Sequence, residues 1–467
     1  MSAQETPTNL PASSAPSGRE TSAHRDAVIF IPGLLDPDGT ATADKIARRI
    51  AAMMDFSARK AEAKFFLSDE QDESFSAGRK TRVVTIVRED SHRKTPVLDL
   101  YDFDYRHALT DAFKRKNPLS QAWTIGLVVI GGIAKQLGAL KTPSKSGMQK
   151  LQVFWGSITC GILLSYLIVL LFTVGVTVAD ATRQLMEKRQ EQTVSRPEVA
   201  APATTGDREG NGQVDASAAE PGKVEPAVGA AASTVEPAWL YWLKSGVVVA
   251  TALGLLRRQS LKEVLASTAT ALGCASNYLT AGARSSIIVG ELSKLLEHIF
   301  EKEKDRPYRH LHVVGYSFGS LIALDALFSH ESSGERFRKV HTLVTIGCPF
   351  DFIRTYWPDY FQRRRAWENV PERWINVYAP ADVLGSDFRD DPGTSATRGI
   401  QVEGEAGERK PDDNIPFGRP APLGAFEWIN FVGFRLHTSY WEQDAEHGIS
   451  CFRPIVEKLY AGDSALG

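Results

Sequence analysis

RHLHVVGYSFGSLIALDALF, residues 309–328, is the stretch whose reading decides the fold. Its first half, His310 to Val314, is a short apolar run suited to a buried strand. Its second half carries Leu321, Ile322, Leu324, Leu327 and Phe328 at the mixed three- and four-residue spacing of a helix. Between them lies Gly315-Tyr316-Ser317-Phe318-Gly319, a G-x-S-x-G turn. Glycines on either side of a sharp strand-to-helix bend let the two elements pack closely, while the central serine is held strained with its Oγ raised toward a base. A helix starting at this turn also directs unpaired backbone N–H groups, at the positive end of its dipole, to the place where an oxyanion would form. Ser317 is therefore the candidate nucleophile.

A G-x-S-x-G turn placed between a strand and a helix resembles the α/β-hydrolase superfamily, in particular its serine lipases and esterases. The resemblance covers residues from Ala27 to about Lys116 and from about Ala283 to Tyr460. It implies an α/β fold with a mostly parallel sheet flanked by helices. It also implies an early strand ending beside the nucleophile. Ala27 to Ile31 is such a strand, closing in Pro32-Gly33-Leu34-Leu35. Pro32-Gly33 stands where the family has a His-Gly pair or a variant of it. The N–H of Leu34 is then the candidate oxyanion donor, paired with the N–H of Phe318.

The same resemblance places the triad acid after a later strand, and the histidine later still. Trp374 to Tyr378 is that strand, and Asp382 follows it in Ala379-Pro380-Ala381-Asp382. Asp387, Asp390 and Asp391 stay open as alternatives, with Asp387 first among them. Two histidines lie downstream, His437 and His447. His437 opens His437-Thr438-Ser439-Tyr440-Trp441, similar to a His-x-x-Tyr-Trp ending in some members of the family, and is preferred.

The remaining periodicities predict a helix from about Thr42 to Phe56, strands at Arg82 to Val87 and Val97 to Tyr101, a helix from Ser285 to Lys302 and a strand from Val340 to Ile346. Lys60 to Arg79 reads only as a charged stretch.

Leu151 to Ala179 contains no charged residue. At about 1.5 Å per residue it exceeds the roughly 30 Å hydrocarbon core, which predicts a transmembrane helix. Ala238 to Leu256 predicts a second, with Trp239, Tyr241 and Trp242 as an interfacial belt and Lys244 near enough to the end to snorkel. The expected organisation is a disordered tail at 1–26, an N-terminal hydrolase segment at 27–121, and an interfacial or buried helix with a basic linker at 122–150. Spans at 151–179 and 238–256 then enclose a disordered non-cytoplasmic loop at 180–237, and a C-terminal hydrolase segment follows at 257–467. Basic flanks at Lys135, Lys141, Lys145 and Lys150, and at Arg257, Arg258 and Lys262, put both hydrolase segments on the cytoplasmic side.

Composition is that of a globular chain, 43% hydrophobic and 24% charged with a formal net charge of −2, and it gives no reason to expect nucleic acid. Cys160, Cys274, Cys348 and Cys451 fit no paired motif and read as reduced residues. No cofactor is expected, since no P-loop, H-E-x-x-H or dinucleotide fingerprint is present. His310 and His312 alternate on one strand and could supply half of a metal site, but no third ligand is spaced to join them. They read as strand histidines, and no metal is expected. The function expected is a membrane-anchored serine hydrolase cleaving a carboxylic ester or thioester, lipid-like or acylated, with the bilayer as its setting and protein partners unspecified. The alternative from another class is a catalytically silent hydrolase scaffold acting as a tethered interaction module.

Overall fold

The structure is a computed structural model. It describes residues 25–34, 42–58, 63–90, 93–141, 270–303, 307–330, 336–366, 370–388, 399–418 and 437–460, apart from a few positions within them, and scattered positions between 154 and 187. The chain divides into two compact units, one formed by residues 1–164 and 267–467 and the other by residues 165–266. In the second unit the described positions are helical, with an Arg183–Glu187 ion pair one turn apart.

The first unit is built on a mixed, mostly parallel sheet of eight strands flanked by helices. In chain order these are β1 (Arg25–Ile31), β2 (Lys64–Ser76), β3 (Arg79–Asp90), β4 (Arg93–Asp102), β5 (Tyr308–Tyr316), β6 (Val340–Ile346), β7 (Arg373–Tyr378) and, last, β10 (Asp413–Pro416). Between the last two, β8 (Ile400–Gln401) and β9 (Glu408–Arg409) form a small separate ribbon. The order across the main sheet is β10-β7-β6-β5-β1-β4-β3-β2. From β10 to β4 neighbours run parallel, whereas β4, β3 and β2 form an antiparallel meander at one side. β1 and β5 turn apolar and buried toward their C-terminal ends, at residues 27–31 and 313–316, where each is enclosed by a strand on both sides.

The helix α1 (Ala43–Ser57) buries Ile46, Ile50, Met53 and Met54, the stripe its spacing predicts. They join Val28, Phe30, Ile86, Leu100 and the C-terminal helix residues Phe452, Ile455 and Val456 in one core. The other main helices are α2 (Arg106–Lys114), α3 (Pro118–Lys141), α4 (Ala283–Glu303), α5 (Phe318–Leu327), α6 (Phe350–Tyr356) and α7 (Phe452–Leu459).

Two expectations need correction. The stretch read as merely charged is β2, a 13-residue edge strand. Its acidic residues hid it by replacing the apolar alternation of a strand. Glu73 accepts a hydrogen bond from Lys302 and sits 3.1 Å from His298 Nε2, both on α4, and charges of this kind also protect a sheet edge from further pairing. The second correction concerns the membrane. Among the described residues no helix is long and apolar enough to cross one, which overturns the expected two-span localisation with a cytoplasmic hydrolase domain. A crossing needs about 20 residues of sustained apolar character. α3 has the length, at 24 residues, but carries Gln121, Lys135 and Gln136 within it. Residues 238–256 and most of 151–179, where the spans were expected, lie outside the described residues, as does the loop at 188–237. So does the expected tail, except that Arg25 and Asp26 already belong to β1.

Candidate active site

The sheet order reverses at β1 and β5. From β1 the chain crosses to the edge strand β2 and returns through β3 to β4 on one side, and from β5 it goes to β6 and β7 on the other, and in open α/β sheets ligands bind at the C-terminal strand ends of such a switch point. Ile31 of β1 lies in register with Gly315 of β5, so Pro32-Gly33 and the Ser317 turn emerge side by side.

Ser317 has φ 53° and ψ −122°, a conformation that costs a non-glycine residue about 1–3 kcal/mol and persists only where the surroundings impose it. What imposes it is visible atom by atom. A Cβ on Gly319 would lie 2.1 Å from the carbonyl oxygen of Ile31, and one on Gly315 would lie 2.5 Å from the Cα of Ser320. Both glycines of the pattern are therefore required by backbone contact. The bend is tied by the Ser317 N–H donating to the Ile346 carbonyl at 2.8 Å and the Ser320 hydroxyl donating to the Gly315 carbonyl at 2.7 Å. α5 behind the turn is buried along its whole length. Its Asp325 receives Arg364 at 2.9 Å, Tyr278 at 2.7 Å and Tyr360 at 2.5 Å. Removing one partner of a buried pair like this costs roughly 3–5 kcal/mol, so the network anchors the helix that presents the serine.

His437 Nε2 is 2.6 Å from Ser317 Oγ, and His437 Nδ1 is 2.8 Å from Asp382 Oδ2. With the proton on Nδ1 directed to the carboxylate, Nε2 is left to accept the serine hydroxyl proton. Asp382 is fully buried and His437 is 6% exposed, so the charge relationship is little screened by water. Asp382 Oδ1 accepts the N–H of Leu384 at 3.0 Å, and Oδ2 accepts the Tyr440 hydroxyl at 2.8 Å. Three donors converge on this carboxylate, counting His437. Burial, together with the neighbouring Asp382 charge, pushes the Tyr440 phenol well above its ordinary value, so it stays a donor. The hydroxyl of Tyr440 in turn accepts the Ala379 N–H at 2.8 Å, which pins it to the end of β7.

Tyr316, the first variable residue of the G-x-S-x-G turn, also has a role. Its hydroxyl donates to the His437 carbonyl at 2.6 Å and its ring stacks on the imidazole at 5.5 Å between centroids. Trp441 packs edge-on against Tyr316 at 4.5 Å. Space for these rings is made by two more glycines. A Cβ on Gly347 would lie 2.8 Å from the Tyr440 ring, and one on Gly385 would lie 2.7 Å from Asp382 Oδ2. The sequence pattern contained Tyr316, Tyr440 and Trp441 but gave them no task. The signal available was their position, immediately beside the serine and three and four residues after the histidine.

Phe318, the first expected oxyanion donor, begins α5 directly after the serine. Gly33 is so close to the turn that a Cβ there would sit 2.9 Å from the Tyr316 ring and 3.2 Å from Ser317 Cβ. Leu34, the expected second donor, is the next residue along that loop. The Phe318 side chain points away into an aromatic cluster, 5.2 Å from Tyr278 and 6.2 Å from Tyr105.

The alternatives separate by position. His447 is paired at the surface with Asp444 at 2.7 Å. Asp387 offers its backbone carbonyl to Asn414, while His437 is already taken by Asp382. Asp390 and Asp391 lie outside the described residues. Cys274, Cys348 and Cys451 are free and buried, and Cys160 lies outside the described residues. Set beside family models, curated proteins and solved structures, the chain finds no match in any of the three.

Proposed function

We propose that this chain is a serine hydrolase on the α/β-hydrolase plan, cleaving a carboxylic ester or thioester through Ser317, His437 and Asp382. The observation that carries the reading is the unbroken hydrogen-bond chain from Ser317 Oγ through both imidazole nitrogens to Asp382, starting at a serine held at positive φ. Each member of that arrangement has a chemical task. As Ser317 Oγ attacks the carbonyl carbon, its proton passes to His437 Nε2, and Asp382 stabilises the imidazolium. The developing oxyanion is placed to receive the N–H groups of Phe318 and Leu34. Collapse of the tetrahedral intermediate breaks the bond to the alkoxide or thiolate, which leaves with the proton from His437. Water, deprotonated by the same nitrogen, then releases the acid from the acyl-enzyme.

With no membrane-crossing helix among the described residues, the bilayer supports no choice of acyl group. The substrate class is therefore the ester or thioester bond itself. A fluorophosphonate probe tests the reading directly. The wild type is expected to label covalently at Ser317 and Ser317→Ala to remain unlabelled. A folded wild type that resists the probe would favour the silent-scaffold alternative.

A further inference from the structure

The opposite ends of β1 and β5 hold a second cluster of ionisable side chains, which the hydrolytic reading does not use. Asp26 of β1 lies beside His310 and His312 of β5, and one ligand atom from each falls within 4.8 Å of the others. His310 Nδ1 is 3.8 Å from Asp26 Oδ1, and His312 Nε2 is 3.8 Å from Asp26 Oδ2. Those separations are too long for hydrogen bonds. They exceed by about 0.5 Å the edge of a tetrahedron about a metal bound at zinc–nitrogen distances, about 3.3 Å, and all three ligand atoms stay within 4.8 Å of one another, so side-chain shifts of about an ångström would seat an ion.

His312 supplies an independent sign. It is 1% exposed, and neither Nδ1 nor Nε2 has a hydrogen-bond partner among the described residues. A neutral imidazole has one donor and one acceptor, and leaving both unmet in the interior costs roughly 1–3 kcal/mol each. A ligand that takes Nε2 removes one of those losses. Asp26 is equally buried. Arg309 binds this carboxylate at both oxygens, at 3.0 and 2.7 Å, and the His310 N–H adds a third bond at 3.2 Å to Oδ1. Such donors orient a ligating carboxylate and leave lone-pair capacity on Oδ2, the oxygen nearest His312.

The neighbouring His341 of β6 is a wall of this site rather than a ligand. Its ring lies 4.0 Å from that of His310, and its own nitrogens are directed to Thr342 at 2.9 Å and Glu372 at 3.3 Å. The His310 side chain, 35% exposed, gives the cluster its opening to solvent.

We propose that Asp26, His310 and His312 bind one divalent transition-metal ion of the zinc class, with the fourth position open to water. Two imidazoles and a carboxylate are the borderline donors that such ions take, and a calcium or magnesium site would require oxygen donors instead. The ion would join β1 to β5, whose ligands Asp26 and His310 stand 284 positions apart in the chain, across the long segment between the halves of the sheet. From His312 to Ser317 is five residues of strand, or about 16 Å, so the ion would act as a clip and not as a participant in the acyl chemistry.

Zinc titration of the full-length chain, freed of metal and read against a chromophoric competitor, decides the matter. One equivalent is expected to bind the wild type and to raise its melting temperature, since an ion that binds only the folded state stabilises it by mass action. In His310→Ala, whose side chain is partly exposed and whose fold is checked by circular dichroism, affinity is expected to fall at least about 100-fold, as loss of a ligand exceeds the loss of an outer partner. His312→Gln should lose the same equivalent, and His437→Ala should keep it. Cobalt(II) should give visible d–d bands that vanish in His310→Ala. No stoichiometric binding by the wild type would overturn the proposal. Binding unchanged in both His310→Ala and His312→Gln, or lost only in His437→Ala, would overturn it as well, by placing the ion elsewhere.

Discussion

Beyond the C-terminal ends of the β1–β5 strand pair, and again at its N-terminal ends, a histidine lies against a buried aspartate, and the two pairs are finished differently. At the C-terminal end both nitrogens of His437 are engaged, one by Asp382 at 2.8 Å and one by Ser317 at 2.6 Å. At the N-terminal end His312 stands 3.8 Å from Asp26 with neither nitrogen satisfied among the described residues. A closed hydrogen-bond chain fixes a tautomer and can move a proton along a defined path. An open arrangement of the same residue types fixes no proton and leaves room for an ion. The difference teaches that residue type alone does not separate a proton relay from a ligand set. Separations of 2.8 and 3.8 Å do.

The sharpest way to break this comparison is to disable the closed end. His437→Ala or Asp382→Asn is expected to lower kcat by about 10³–10⁴-fold or more, since the oxyanion donors and binding alone remain. Zinc affinity at the other end should be untouched. Steady-state kinetics on a soluble ester, run beside the metal titration, reads both. Near-normal turnover in Asp382→Asn with collapse in Asp387→Asn would move the acid to Asp387.

A smaller effect is expected from Tyr440→Phe. The phenol gives Asp382 one of its three donors and is itself held by the Ala379 N–H. Removing one hydrogen bond to a charged group costs roughly 1.5–3 kcal/mol in this setting, so kcat should drop about ten- to hundredfold. KM should hold, because Tyr440 is a positioning residue. The acidic limb of the kcat–pH profile should also shift, as the carboxylate that orients His437 changes. A change in KM alone, with kcat and its pH profile intact, would reduce Tyr440 to packing.

The smallest expected effect compares buried carboxylates. Asp26 is held down to about 2, whereas burial, reinforced by the Asp104 charge, pushes Asp102 at the end of β4 up to about 7. Asp102 Oδ1 is buried without a hydrogen-bond partner among the described residues. A carboxyl whose folded value is raised adds stability that is fully present below its unfolded value of 3.8 and is lost as pH rises through about 7. Melting temperature is therefore expected to decline between about pH 4 and pH 8 through this group. Asp102→Asn should flatten that decline by a few degrees, and an unaltered slope would remove Asp102 as its source.

Much of this was legible in the chain. The G-x-S-x-G turn marked Ser317 because the glycine positions reflect backbone contact, and backbone contact leaves a mark in sequence. Apolar runs marked β1, β5, β6 and β7 within a residue or two, since strands enclosed on both faces are read by composition alone. β2 escaped because its acidic side chains answer to partners elsewhere, Glu70 to Arg82 of β3 and Glu73 to His298 of a helix 225 positions later. The expected spans rested on hydropathy, and among the described residues no helix has the sustained apolar length a crossing needs.

Order along the chain could place an acid and a histidine after the nucleophile and favour Asp382, but it left Asp387, Asp390 and Asp391 open. A triad is a set of distances, and sequence has no distances between residues 55 and 120 positions apart, as Asp382 and Ser317 are from His437. The metal-ligand question shows the same limit from the other side. Read along the chain, His310 and His312 alternate on one strand with no third ligand, because ligand spacing was sought within a single segment. Only the parallel pairing of β1 with β5 brings Asp26 to them. Sequence marked the central strands and the candidate nucleophile, which depend on local backbone and burial. Tertiary structure decided the partners, because hydrogen bonds and ligand sets are made across strands, by neighbours that the chain itself keeps far apart.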